Sequence, residues 1–276
     1  MFKFFKNYWS QLFASSQTSK PNIITFTGGM GAQMISAAIY FQMQAEGREV
    51  YADLSYFDKP RDIAAEGDKG RPTHWGWQLA QFNLHLDSFA GSQLLVPRQV
   101  DVIEDGALKL QLGLAALRKE HIQNLFTLHE ANVAHLLGGD EDKYLCIHVR
   151  RGDYLNVASH LISDDAFIRL AKRFVNLIKH AVIVSDSVIT GGLRVRLSSM
   201  FAKTTFLDHI NEYETHCVMR SAHIFIGSNS QFSLIAAILN TKGLVLLPRA
   251  WFGDAQPELE ALVSNLGDFQ VLSDVT

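Results

Sequence analysis

Hydrophobic and polar positions change rhythm several times along the chain. Residues 23–27 form a short β-branched run that ends in G-G-M-G at positions 28–31. An apolar pattern of helical period follows from Gln33 to Glu46, and Gly47 supplies its stop. Residues 49–54 read as a second strand. Strand, glycine loop, helix and strand in that order predict the opening of an α/β sheet. Residues 55–78 are rich in Gly, Pro, Asp and Lys, with Trp75 and Trp77 close together, and predict a long irregular loop. Loops of that length in folded domains are commonly functional. Residues 82–138 read as mostly helical, with a short extended piece near 94–96.

The polar stretch G-G-D-E-D-K at 138–143 marks a boundary, after which the alternation becomes regular. Strands are predicted at 144–149, 181–185, 203–207, 223–227 and 243–247. Helices are predicted at 164–179, with Ser163 as N-cap, and at 191–201, 211–221 and 230–240. Such alternation predicts a doubly wound parallel sheet with right-handed crossovers. The expected organisation is therefore a leading segment 1–22, a first domain 23–139 and a second domain 140–276.

Composition narrows the class. The 276 residues carry 25 Lys+Arg against 28 Asp+Glu, a net charge of −3, and are 47% hydrophobic. This is a folded globular chain, and the charge balance excludes a general nucleic-acid binder. Cys146 and Cys217 are too few for a disulfide framework, which points to a reducing, cytoplasmic setting. No stretch reaches the ~20 apolar residues needed to span a bilayer. The opening M-F-K-F-F-K-N-Y-W-S-Q-L-F stands apart. At helical spacing Phe2, Phe5, Trp9, Leu12 and Phe13 share a face, opposite Lys3, Lys6, Asn7, Ser10 and Gln11. Two readings are open. Residues 1–13 make a peripheral contact with the inner face of a bacterial membrane, or they dock on the protein's own surface.

The densest chemistry lies at the end of the 144–149 strand, in H-V-R-R-G-D-Y at 148–154. Ligands of open α/β sheets bind beyond the carboxyl ends of strands. Arg150 and Arg151 project differently there, so one suits a ligand phosphate and the other a structural carboxylate. The plainer alternative is two surface arginines paired with Asp153. The next strand ends in V-S-D-S, carrying Asp186. The one ending at 227 leads into Ser228, Asn229, Ser230 and Ser233, hydroxyls at a helix start that suit an anion. Taken singly, the serines read equally as N-caps and Asp186 as a turn residue. The loop at 28–31 is neither a dinucleotide fingerprint, since Met34 stands where a third Gly belongs, nor a P-loop. The D-E-D at 140–142 precedes a strand and reads as a solvated linker, so no metal is expected.

These segments together resemble the α-1,2-fucosyltransferases. H-V-R-R-G-D-Y is similar to the family's H-x-R-R-x-D motif, and G-G-M-G-A-Q-M at 28–34 to its G-G-L-G-N-Q-M. V-S-D-S resembles F-S-D-D. The segment 226–240 resembles A-N-S-S-F-S-W-W-A-A-W-L-N, and L-P-R-A-W-F at 247–252 resembles P-x-x-W-F. The resemblance implies a GT-B-like fold of two Rossmann-like halves, the second binding the nucleotide. It implies inverting transfer of L-fucose from GDP-fucose, without a metal or other cofactor, to the 2-hydroxyl of a galactose-type residue on a glycan. It also implies residue roles. Arg150 and Asp153 are assigned to catalysis, with Arg150 on the β-phosphate and Asp153 and Arg151 ordering the loop. His148 and Asp186 are assigned to guanosine, and Ser230 and Ser233 to phosphate. Gly29, Gly31, Gln33, Ser228 and Asn229 complete the donor-side set. Ala32 and Ser187 depart from the family's Asn and Asp, which leaves two alternatives: a transferase of the same fold using another nucleotide-sugar, or a non-catalytic glycan-binding module. Asp53, after the second strand, is a candidate base or a turn carboxylate.

Overall fold

The computed structural model describes residues 20–58, 76–89, 101–104, 106–128, 131–138, 143–156, 161–189, 191–208, 210–241, 243–248 and 269–272. The aromatic opening, the 94–96 piece, the D-E-D stretch and Trp75 lie outside the described residues. Two parallel sheets organise the rest. The first contains β1 (Asn22–Thr25), β2 (Val50–Asp53) and β3 (Asp101–Ile103), in the order β2–β1–β3. The second contains β4 (Leu145–Val149), β5 (His180–Ser185), β6 (Lys203–Leu207), β7 (Ile224–Ile226), β8 (Leu244–Pro248) and β9 (Phe269–Leu272). Its order, β6–β5–β4–β7–β8–β9, starts mid-sheet, runs to one edge, and then continues on the other side. That is the doubly wound order, whose switch point lies between β4 and β7. The α/β expectation of two Rossmann-like halves holds.

The inner strands β4, β5, β7 and β8 are apolar on both faces because both faces are covered, as parallel sheets require. Side-chain alternation sorts each strand between two cores. Leu145, Ile147 and Val149 of β4 join Ile183 of β5 and Ile226 of β7 under α4 (Asp164–Lys172) and α5 (Gly191–Met200). Cys146, Val182, Val184 and Phe225 face the other way. There they meet α6 (Glu212–Ser221) and α7 (Gln231–Leu239). The same core continues into α1 (Met30–Ala45), α2 (Ala107–Leu117) and α3 (Ala131–Leu137) of the first half, so it crosses from one sheet to the other. By parity His148 sits on this second face, beneath α7.

Local chemistry sets the helix starts. Ser163 accepts the Ala166 N–H at 3.2 Å, as the N-cap reading requires. Asn211 and Glu214 form a reciprocal capping box at α6. Ser230 caps α7, its Oγ accepting the Ser233 N–H at 3.1 Å.

Three elements depart from the pattern-based expectation. The helix predicted at 164–179 ends at Lys172, where i→i+3 bonds such as Phe174 N–H to Ala171 C=O tighten the chain. This brings Phe174 and Ile178 into the core ahead of β5. β3 falls inside the segment read as helical, because three residues with Val102 half-exposed carry no detectable alternation. β9 extends the second sheet to six strands, one more than predicted. Among the described residues no helix is long and apolar enough to cross a membrane.

α1 and α2 pack at their backbones. A Cβ on Gly113 would lie 2.4 Å from Ile35 Cγ2 and 3.0 Å from its carbonyl oxygen. Gly113→Ala must therefore move one helix, at a cost of about 1–3 kcal/mol. A thermal-denaturation midpoint several degrees below that of the unmodified protein is expected, and an unchanged midpoint refutes this packing.

Candidate functional site

The carboxyl ends of β4, β5 and β7 bring the predicted residues together at the switch point. Arg150 follows β4, and its Nη1 lies 3.0 Å from Asp186 Oδ2 just beyond β5. Its guanidinium also sits over the Tyr154 ring, 5.2 Å from the centroid. The pair is largely enclosed, the side chains being 20% and 10% exposed. The other Asp186 oxygen accepts the Arg151 N–H at 2.9 Å. The resemblance gave Asp186 to guanosine; here both of its oxygens engage the two arginines.

Arg151 turns the opposite way. Its guanidinium donates to Asp164 at 2.6 Å and to the Ile162 carbonyl at 2.8 Å, and it lies 5.8 Å from the Phe167 ring. The two arginines thus point apart, Arg150 pairing with Asp186 and Arg151 with a second carboxylate. That carboxylate is Asp164, at the first turn of α4. The backbone of Asp153 lies in the 3₁₀ turn Gly152–Asn156, and its side chain lies outside the described residues.

Beyond β7 a buried polar knot forms around His148, which is 2% exposed. His148 Nδ1 lies 2.5 Å from Ser233 Oγ and 3.0 Å from Ser228 Oγ. Ser228 Oγ is 3.2 Å from Ser230 Oγ and 3.0 Å from Ser233 Oγ, and the Ser228 N–H donates to Ser233 Oγ at 3.0 Å. Asn229 is buried beside them. Burial, reinforced by the charge of Arg150, pushes the His148 imidazole down to about 3, so the ring is neutral near pH 7.

The glycine loop of the first half reaches this knot. Gly29 is the N-cap of α1. A Cβ on Gly31 would lie 2.7 Å from the Phe232 backbone nitrogen, so the first turns of α1 and α7 touch at their main chains. Gln33 is turned inward. Its Nε2 donates to the Gly28 and Gly76 carbonyls at 2.9 and 2.8 Å, and its Oε1 accepts the Gln78 N–H at 2.9 Å. It clasps the glycine loop, whose Gly28 needs a positive φ of 71°, to the segment leading into the first 3₁₀ turn. Trp77 packs on Phe26 and Phe57 at 5.7 and 5.8 Å between ring centroids and covers the core. Asp53 Oδ1 accepts the Ser55 N–H at 3.0 Å, a local turn bond.

Several participants escaped the sequence reading. Lys109 is buried and donates from Nζ to the Thr25 carbonyl at the carboxyl end of β1. Its signal was a lone charge in an apolar helix. Asp208, directly after β6, accepts the Ile189 N–H at 3.2 Å and pairs with Arg194 at 3.5 Å. The strand-end rule applied to Asp186 would have found it. His216 on α6 is fully buried, its ring 5.2 Å from that of Phe232. Neither ring nitrogen has a hydrogen-bond partner among the described residues. Burial first, then the charge of Arg220, drives its pKa well below the ordinary value. Among the described residues no group of three His, Cys, Asp or Glu side chains is placed to hold a metal ion.

Residues 114–261 match the model described as Glycosyl transferase family 11. The chain belongs to this family of α-fucosyltransferases. The match covers the second sheet up to β8 and the whole arginine–serine constellation, while the glycine loop precedes it. No curated protein matches the chain at the level of sequence. Solved structures similar in fold include Escherichia coli ADP-heptose LPS heptosyltransferase II, with 9% identity over 89% of this chain and 98% of that one, TM-score 0.45. The fucosyltransferase NodZ from Bradyrhizobium shows 12% identity over 81% of this chain and 94% of its own, TM-score 0.42. POFUT1 in complex with GDP shows 12% identity over 83% and 98%, TM-score 0.46.

Two outcomes follow from this family 11 site. A Cβ on Gly152 would lie 2.3 Å from Asp186 Oδ2, so Gly152→Ala must push the carboxylate off Arg150 without altering any charge. Transfer activity is expected to fall about as far as in Asp186→Asn, measured side by side; a fully active Gly152→Ala refutes the pairing as a working contact. The second concerns acid. His148 and His216 stay neutral in the fold while an unfolded histidine takes a proton near pH 6.5, so unfolded chains bind more protons below that pH. Stability should be flat in this respect above pH 7 and fall through the window from about 6.5 toward 3, by up to ~1.4 kcal/mol per pH unit for each ring. Urea titrations at pH 7.5 and 5 should show a smaller drop for His216→Phe than for the unmodified chain. An equal drop removes His216 from the account.

Proposed function

We propose that this chain is an inverting fucosyltransferase that takes L-fucose from GDP-fucose and delivers it to the 2-hydroxyl of a galactose-type residue on a glycan. The observation that carries the reading is Arg150, clamped by Asp186 at the switch point. As the sugar–phosphate bond breaks, the sugar becomes oxocarbenium-like and negative charge collects on the departing diphosphate. A guanidinium held in place meets that charge with two parallel donors and needs no reorganisation at the moment of reaction. The aligned backbone dipoles at the start of α7 add to the same field. Together they supply the charge stabilisation that a metal ion provides elsewhere. Family membership and the H-V-R-R-G-D-Y motif support fucose as the sugar. Ala32, in place of the family's Asn, removes one side-chain amide from the glycine loop. Residues 1–13, in the same proposal, give the enzyme peripheral contact with the inner face of a membrane carrying a lipid-linked acceptor.

The test is GDP release from GDP-fucose with a panel of galactosides in the presence of EDTA, followed by linkage analysis of the product. An α-1,2-linked fucose is expected. Turnover with a different nucleotide-sugar alone, or binding without turnover on every acceptor, overturns the proposal. Arg150→Ala should lower kcat by ~10²-fold or more. Near-normal turnover removes Arg150 from its role.

A further inference from the structure

Asp186 is an awkward anchor for an arginine that has to meet an anion. Its charge fixes Arg150 in the empty site, with Nη1 3.0 Å from Oδ2. The same charge subtracts from the field that Arg150 offers, and it repels a diphosphate. Arg150 has a second anchor that carries no charge. Its guanidinium lies over the Tyr154 ring, 5.2 Å from the centroid, within the range of a cation–π contact. The ring attracts the cation through the electrons of its face and uses up no particular N–H.

The chain builds this contact locally. Beyond β4 it folds back through the 3₁₀ turn Gly152–Asn156, where the Leu155 N–H donates to the Arg151 carbonyl at 2.9 Å. The turn brings Tyr154 back beside Arg150. It opens with Gly152, the position that leaves room for Asp186. The Arg151 side chain ties the start of the turn to Asp164 and to the Ile162 carbonyl. Arg150 is thus held between a carboxylate from the end of β5 and an aromatic ring from its own loop.

We infer that Tyr154 is a positioning residue, whose ring face keeps the Arg150 guanidinium aimed at the donor's diphosphate as the Asp186 contact gives way to the incoming anion. This rests on the proposed diphosphate site and is indifferent to the base, the sugar and the acceptor. An anion entering the site competes with Asp186 for the same N–H groups and repels the carboxylate. It does not compete with the ring. Without the ring, a guanidinium released from Asp186 regains its rotamers, and the transition state must order it again.

The experiment replaces Tyr154 by phenylalanine and by phenylalanines of rising ring fluorination, introduced by nonsense suppression. Fluorine drains the electron density of the face while the ring keeps nearly the same shape. Affinity for inorganic pyrophosphate, by titration calorimetry, and kcat for transfer from GDP-fucose are measured on the full chain. Tyr154→Phe should stay within about twofold of the unmodified chain, because the face is retained. Both quantities should then fall stepwise with fluorination, to a total of roughly tenfold, the scale of an enclosed cation–π contact. Tyr154→Leu should lose at least as much. In an Arg150→Ala background these changes should have no further effect on the residual kcat, because the ring acts only through the guanidinium. A flat fluorine series overturns the inference, since a ring that only fills space is indifferent to fluorination. A loss in Tyr154→Phe as large as in Tyr154→Leu overturns it as well and moves the role to the hydroxyl. So does an undiminished fluorine effect in the Arg150→Ala background. If Tyr154→Leu does not fold, as judged by circular dichroism, the fluorinated series decides alone. Turnover only with another nucleotide-sugar sinks the GDP-fucose donor, while a stepwise fall in pyrophosphate affinity still upholds Tyr154. An unmodified chain that binds no pyrophosphate sinks the inference together with the diphosphate site.

Discussion

One carboxylate holds the site in order. Two consecutive arginines leave β4, and their charges repel. Asp186 answers both, taking the Arg150 guanidinium on one oxygen and the Arg151 main-chain N–H on the other. An enclosed ion pair of this kind adds little net stability, since desolvation offsets attraction. Its contribution is geometric. It fixes where the first arginine points and leaves the second free to reach Asp164 and the Ile162 carbonyl. Gly152 makes the arrangement possible by leaving the carboxylate room.

A second constraint comes from the other half of the molecule. Gly31 lets the first turn of α1 lie against the Phe232 backbone, so the glycine loop and the serine loop come within main-chain contact. The Phe232 ring, in turn, lies 5.6 Å from His148 and 5.2 Å from His216. One residue therefore touches the first half with its backbone and two buried histidines with its side chain. Gln33 secures the glycine loop from behind. Small residues and internal hydrogen bonds shape the surroundings, while Arg150 carries the charge.

Much of this was legible in the residues. The second sheet could be read strand by strand because parallel strands covered on both faces are short apolar runs between helices with clear caps. That Arg150 and Arg151 point apart followed from their consecutive places at a strand end. Other parts depend on distant pairing and leave no local trace. β3 is three residues long and exists because it pairs with β1. β9 exists because it pairs with β8. Gln33 looked like a ligand contact in its motif, and only the return of residues 76–78 shows what its amide holds. His216 gave no motif at all; its setting arises from the packing of α6 on α7.

The contact between Gly31 and Phe232 has a consequence for how the chain comes into being. Its partners lie near opposite ends of the sequence, and the core that unites α1, α2, α6 and α7 is assembled from both. Loop closure over such a span must precede the contacts that reward it. During synthesis the ribosome presents α1 first, with Ile35 and Ile39 destined for that core. Ile35 can meet Gly113 of α2 early, but the Gly31 turn waits for Phe232 until α7 has emerged, so the first half is completed by the last third of the chain.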